Sequence, residues 1–389
     1  MEGNMERINK QAIEQLLRTK TKPLVTIYVP MHATASPSHI SENQIRLKNL
    51  IHKATELLRA EDQGEALAQQ LDEKFDELSS DPDFWATKTP GLLICAGLGS
   101  LRIFNLPVDT EEYVAVDIEY HLAPILALVN DQQSFYVLLV AQHTPKLFIG
   151  NMYGLRISNV KLPANLRQGL DIDEPNQKTE NQGSASGSSL NTGWFNGRGG
   201  ARNPGEEDRM RFWRLIDKTL KDKTDNILPL ILAGIDAETV EYRAISKYPQ
   251  ILQGTISGSH SDAHMPELFN KAVHIVRQEI LEPERLAAVQ EYRRLHGVNP
   301  ERTADTNQTI EQAAHQGRID KLLATMSRYT TDTIRDKVQT TLQITFPEPQ
   351  SSQLLNRIAT KVWQMSGTII NTQPDEITDG ATMVARLRY

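Results

Sequence analysis

The run Trp194-Phe195-Asn196-Gly197-Arg198-Gly199-Gly200-Ala201-Arg202 holds the residue types in this chain best suited to binding chemistry. The aromatic faces can stack on unpaired bases, and the guanidinium groups can fork onto phosphates or stack in turn. Glycines let the backbone approach another molecule closely. The combination favours contact with RNA. The run ends a polar stretch, Asp171 to Glu207, that has no hydrophobic periodicity and is longer than the usual connection inside a domain. Two readings of it stand side by side: an RNA-contacting loop, and a linker whose Trp194 and Phe195 dock on their own domain.

Other constellations give less. No Gly-x-x-x-x-Gly-Lys-Ser/Thr phosphate loop is present. Gly183-Ser184-Ala185-Ser186-Gly187 lacks the spacing of a hydrolase nucleophile elbow and joins no apolar strand to a helix. His260-Ser261-Asp262-Ala263-His264 brings three donors close together, but its Ser/Gly surroundings read as a solvated turn rather than a metal site. Glu206-Glu207 and Glu111-Glu112 lack the apolar setting that would tune a carboxyl for acid/base work. Cys95, the single cysteine, lies in an apolar run and reads as core. No catalytic residue, metal or cofactor is expected.

The elements that must position the run follow from length and pattern. At 389 residues the chain suits two or three domains, and 39% hydrophobic content supports real cores. A net charge of -7 argues against indiscriminate coating of nucleic acid, so RNA contact should be local. No apolar run is long enough to span a bilayer, and the first residues lack a secretory pattern, so a cytoplasmic location without membrane partners is expected.

Leu24 to Pro30 reads as a buried strand. A loop is expected through Ser41, then a helix with Ile45, Leu47, Leu50, Ile51, Ala54, Leu57 and Leu58 on one face. Arg46, Lys48, His52, Lys53 and Arg59 fall mainly elsewhere on it, as ordinary surface charge or as an RNA footprint. Leu92 to Ala96, Leu101 to Phe104 and Val114 to Val116 read as strands, and His121 to Pro124 as a boundary. Phe135 to Val140 and Pro145 to Gly150 suggest a hairpin. After the loop come a helix with Phe212, Trp213, Ile216 and Leu220 on one face, strand Ile227 to Gly234, helix Ala237 to Ser246 and a long helix Glu267 to Leu295. The last region alternates helix Thr309 to Gln316, strands Ile319 to Ala324 and Thr341 to Phe346, helix Ser352 to Gln364, and strands Gly367 to Asn371 and Ala381 to Leu387. The fold class expected is α/β (α+β): three mixed domains over 1–122, 123–296 and 297–389, the last a small α/β/α sandwich, with the loop 171–207 in the middle one.

In this order the features resemble the archaeal and eukaryotic class-one release factors and their relative Pelota. The strand Leu24 to Pro30, the loop and the basic helix resemble the decoding domain. Gly197 to Arg202, the following helix and Leu230-Ile231-Leu232-Ala233-Gly234 resemble the Gly-Gly-Gln loop, helix and strand of release factors. The last domain is similar to the ribosomal-protein-type fold that ends those proteins. Gln44-Ile45-Arg46-Leu47-Lys48-Asn49-Leu50 and the terminal Ala385-Arg386-Leu387-Arg388-Tyr389 point to the bacterial branch of the superfamily, which includes ribosome hibernation factors.

Two departures from the release-factor pattern bear on function. Ala201 stands in the place of the catalytic glutamine, and a methyl group can neither order a water nor stabilise an oxyanion. The Asn-Ile-Lys-Ser stop-codon motif would fall near Ser38-His39-Ile40-Ser41, without its lysine. The resemblance therefore implies a non-enzymatic occupant of the A site of the 70S ribosome, contacting 16S and 23S rRNA and inhibiting translation as a hibernation factor under stress. Trp194, Phe195, Asn196, Gly197, Arg198, Gly199, Gly200, Ala201, Arg202, His39, Arg46 and Lys48 are the expected contacts, and a translational GTPase such as elongation factor Tu the expected partner. Alternatives are a peptidyl-tRNA hydrolase in which Gln182 or Asn196 replaces the glutamine, and Pelota-like rescue of stalled ribosomes.

Overall fold

The computed structural model describes residues 5–32, 36–61, 63–86, 89–130, 133–165, 204–258, 265–334, 337–377 and 381–389. They form a mixed α/β architecture with several sheets. The chain divides into two units, Met1–Gln133 with Ile280–Tyr389, and Ser134–Glu279.

The first region runs β1 (Glu6–Arg7), α1 (Lys10–Leu17), β2 (Leu24–Pro30), α2 (Pro37–Arg59), α3 (Glu65–Ser79), α4 (Pro82–Trp85), β3 (Gly91–Gly97), β4 (Ser100–Leu106), β5 (Asp109–Thr110), β6 (Tyr113–Asp117) and α5 (Ala123–Asn130). The sheet order is β1-β4-β3-β2-β6, with β2 antiparallel to both β3 and β6. Alternate residues of the strands, Val25, Ile27, Val29, Leu92 and Ile94, form one core with Leu47, Leu50, Ile51, Ala54 and Leu58 of α2 and Leu67 and Leu71 of α3. Each such aliphatic side chain contributes about 1.5–3 kcal/mol by leaving water. Cys95 lies within β3, fully buried, and burial pushes its thiol far up, so it is core and not a nucleophile.

Three expectations change here. Helix α2 begins at Pro37 rather than after Ser41, because the Ser36 hydroxyl accepts the His39 N–H at 3.3 Å and proline suits the first turn. Ile45 and Leu57 are 60% and 41% exposed: at about 100° per residue Ile45 falls away from the Leu47-Leu50-Ile51-Ala54-Leu58 stripe and Leu57 lies on its edge. Helix α3 was not foreseen, although Leu67, Leu71 and Leu78 recur at helical spacing and are buried.

The middle unit comprises β7 (Phe135–Val140), β8 (Lys146–Asn151), β9 (Gly154–Ile157), α6 (Pro204–Lys223), β10 (Leu230–Gly234), α7 (Asp236–Ile245), β11 (Ile251–Ser257) and α8 (Met265–Val276). Its sheet order is β11-β10-β7-β8-β9. The expected hairpin β7–β8 is antiparallel, whereas β10 runs parallel to both β7 and β11. Phe212, Trp213, Ile216 and Leu220 of α6 pack with Tyr242 of α7 on Tyr136, Leu138, Leu230 and Leu232. Strand β10 starts at Leu230, leaving Ile227 67% exposed. It ends at Gly234, where φ is +146° and a Cβ would stand 2.5 Å from the Val140 carbonyl oxygen, so only glycine fits. Strand β11 was not foreseen.

The expected helix Glu267 to Leu295 is α8, a π-helical turn Arg277–Leu281 and α9 (Glu282–Val298). There follow β12 (Thr303–Ala304), α10 (Asn307–His315), β13 (Ile319–Ala324), β14 (Ser327–Ile334), β15 (Lys337–Ile344), α11 (Pro349–Gln364), β16 (Thr368–Asn371) and β17 (Met383–Leu387). Strands β12-β17-β13-β16 form a four-stranded sheet. Ala288, Val289 and Tyr292 of α9 pack on Leu323, Val384 and Ile377.

Strands β14 and β15 form a hairpin, and β15 pairs in parallel with β5 of the first region. The Phe346 ring stacks on Tyr113, with centroids 3.9 Å apart. Asn356 of α11 is almost fully buried; its Oδ1 accepts the N–H groups of Leu122 (2.7 Å) and Ala123 (3.2 Å), and its Nδ2 donates to the Tyr120 carbonyl (2.9 Å). Asn356→Leu keeps the volume but strands two donors and an acceptor, so it should lower the stability of this unit by about 3 kcal/mol. Urea unfolding reads the change; an unaltered midpoint would show that these groups find other partners.

Candidate nucleic-acid interface

Trp194, Phe195, Asn196, Gly197, Arg198, Gly199, Gly200, Ala201 and Arg202 lie outside the described residues, as do Gln182, His260, Asp262 and His264. The described residues show where the segment starts and ends. Before it, Asn165 forms an isolated antiparallel bridge with His143, and the Thr144 N–H donates to the Ala164 carbonyl at 3.0 Å. After it, Pro204 opens α6. Glu206 and Glu207 sit exposed in the first turn, where acidic side chains favour the helix dipole.

Two carboxylates bolt α6 to α7. Arg209 donates through Nε and Nη2 to Glu241 at 3.0 and 2.7 Å, and Trp213 Nε1 donates to the same carboxylate at 3.2 Å. These hydrogen bonds hold the Glu241 carboxyl below its ordinary range and raise the Arg209 guanidinium. Farther along, buried Asp217 accepts from Tyr242 (3.4 Å), from the Lys247 N–H (3.1 Å) and, over a short contact, from Ser246. Burial, with Asp217 close by, pushes the Tyr242 hydroxyl up. Sequence reading missed both carboxylates, because the spacing of α6 does not name partners that lie 25 to 32 residues away.

In the first region, the segment Ser38 to Ser41 forms the opening of α2. The His39 ring stacks on His32, centroids 4.5 Å apart, and His32 Nε2 lies 2.8 Å from Glu42. Buried Asn43 accepts the His32 N–H at 3.0 Å. Arg46 is turned to its own fold: Nη1 donates to the Pro30 carbonyl at 3.0 Å and Nε to Glu112 at 3.1 Å. Lys48 is exposed. The pair Glu111-Glu112 lies at the surface and takes part in two ion pairs there, Glu111 with Arg328 at 3.1 Å and Glu112 with Arg46.

One partly buried hydrogen-bonded chain resembles catalytic machinery. The Tyr113 hydroxyl lies 2.7 Å from His121 Nδ1, and His121 Nε2 lies 3.0 Å from Asp117. Burial pushes Tyr113 up to about 12. Burial would also raise Asp117, but hydrogen bonds from His121, the Ile118 N–H and Gln353 hold it low. The cavity beside His121 is about 10 Å³, room for one water at most, so the chain braces the fold. Among the described residues no group of three or more His, Cys, Asp or Glu could hold a metal ion, and no helix is long and apolar enough to cross a membrane.

Residues 135–278 match the model of the bacterial archaeo-eukaryotic release factor family 7. That segment contains β7 to β11, α6, α7, α8 and the glycine-rich run. No curated protein matches the chain. Among solved structures it is similar to an archaeal translation termination factor, aRF1, at 13% identity over 98% of this chain and 99% of that one, with a TM-score of 0.25. It is similar to archaeal Pelota in a model of ribosome-bound Pelota and ABCE1, at 13% identity over 77% of both chains and a TM-score of 0.39. A third is S. cerevisiae Dom34, a translation termination-like factor interacting with Hbs1, at 10% identity over 77% of this chain and 81% of that one, with a TM-score of 0.36.

The clamp on α6 generates a pH prediction. A depressed folded-state pKa means that Glu241 contributes stability above the unfolded glutamate value, about 4.3, and loses it as pH falls through the folded value. Glu241→Gln should cost about 1 kcal/mol at pH 7, and the difference from the parent should close below about pH 4. Denaturation followed by tryptophan emission measures it; a gap independent of pH would assign the effect to packing.

Proposed function

We propose that the chain is a non-enzymatic ribosome-binding factor of the release-factor and Pelota kind that occupies the A site and keeps ribosomes inactive. The observation that carries this reading is the family match over residues 135–278, which spans the run Trp194 to Arg202 and its flanking elements. By resemblance to the Gly-Gly-Gln loop of release factors, Ala201 falls where the hydrolytic glutamine would stand. Release needs a group that orders water at the ester and stabilises the developing oxyanion, and a methyl group does neither. The opening of α2, where a codon-reading lysine would fall, carries His39 and no lysine between Ser38 and Ser41.

On this reading the chain resembles Balon, a hibernation factor of the bacterial branch. Trp194 and Phe195 stack on rRNA bases, Arg198 and Arg202 meet phosphates, and the last region meets a translational GTPase such as elongation factor Tu. The middle unit supports the reading because α6 begins two residues after Arg202 and is clamped to its neighbours by Glu241 and Asp217.

Replacing Trp194, Phe195, Arg198 and Arg202 together by alanine should weaken co-sedimentation with 70S ribosomes at least tenfold and leave the thermal midpoint unchanged. Equal binding would remove the loop from the interface. Binding of the parent protein should be competed by an A-site ligand, with no hydrolysis of peptidyl-tRNA in the same samples. Hydrolysis would establish the enzymatic alternative. Ala201→Gln should not create efficient release.

A further inference from the structure

We propose that the solvent face of α6 is a docking ridge for an RNA phosphate backbone, formed by Arg211, Arg214, Lys218 and Lys221 with Lys247 beside them. The inference deepens the proposed function and rests on it only for ribosomal RNA being the natural ligand. The four helix residues follow one another at intervals of three, four and three, which places them along one side of the helix. All four are exposed, and so is Lys247.

The opposite side of α6 carries Phe212, Trp213, Ile216 and Leu220 into the core, so the cationic side faces solvent. Arg214, Lys218, Lys221 and Lys247 line a groove of about 300 Å³ together with Asp217, Asp222 and Ile245. Asp217 forms no ion pair with them, its oxygens being bonded to Tyr242, Ser246 and the Lys247 N–H, and against Asp217 and Asp222 the four cations leave the groove net positive. Arg211 has only a loose contact, 3.7 Å, with Asp208. In a chain of net charge -7, such a ridge is a local concentration and not an average property.

The chemistry selects RNA over an acidic protein. A protein interface needs an aromatic or aliphatic anchor at its centre, and this groove offers only half-buried Ile245. A line of cations without anchors suits a repeating phosphate chain, where affinity comes from counterion release.

The test uses the full-length protein and a fluorescent 20-base-pair RNA duplex as probe, titrated across salt concentrations. The variant R211Q/R214Q/K218Q/K221Q should bind about tenfold more weakly or worse at physiological salt, and its slope of log affinity against log salt should fall by about 3. A control with the same charge change, K10Q/R18Q/K20Q/K22Q, removes exposed cations of the other unit and should leave affinity unchanged. If the fourfold variant does not fold, K218Q/K221Q should give about half the slope change. No binding by the parent protein, an unaltered α6 variant, or equal loss in both variants would overturn the ridge. Ribosome co-sedimentation of the same proteins separates the two readings. Ridge-dependent binding to the duplex without any ribosome binding would overturn the proposed function and leave the ridge standing.

Discussion

Strands β7 and β10 are buried along their whole length, and this constraint organises the middle unit. A parallel pair with apolar residues on both faces must be covered on both sides by helices. Helix α6 covers one face with Phe212, Trp213, Ile216 and Leu220, and that fixes its rotation. Its remaining side must then face water, which is why a line of arginines and lysines there is tolerated. The end of α6 that receives the glycine-rich run is set by the same packing.

Fixing the helix also required polar partners. Trp213 is fully buried, and its indole N–H finds Glu241, which Arg209 neutralises. An indole buried without such an acceptor would cost about 1–3 kcal/mol. Asp217 plays the corresponding part farther along α6, ordering the turn after α7 through Ser246 and Lys247. Both carboxylates are engaged in holding α6 to its neighbours.

In the other unit, residues more than two hundred positions apart are joined by strand pairing, ring stacking and buried hydrogen bonds. Strand β5 pairs with β15, Phe346 stacks on Tyr113, and Asn356 satisfies the backbone of residues 120–123. Gln353 adds a hydrogen bond of 2.9 Å to Asp117, the carboxylate that also orients His121. The segment His121 to Pro124, legible in the sequence as a break between domains, is in space a seam through which the last region holds the first.

The amino-acid sequence by itself determined the local elements: β2, β3, the β7–β8 hairpin, the core face of α6 and the burial of Cys95. Each follows from residues close together in the chain, where period and branching decide the outcome. It also singled out Trp194 to Arg202 by type and spacing, and Ala201 by comparison with a family pattern. Tertiary structure alone decided that Arg46 donates to Pro30 and Glu112. Only the fold paired Glu241 with Arg209 and Asn356 with residues 120–123. The physical reason is that a hydrogen bond or ion pair depends on which distant groups the packed sheets bring within about 3 Å, and no local period encodes that.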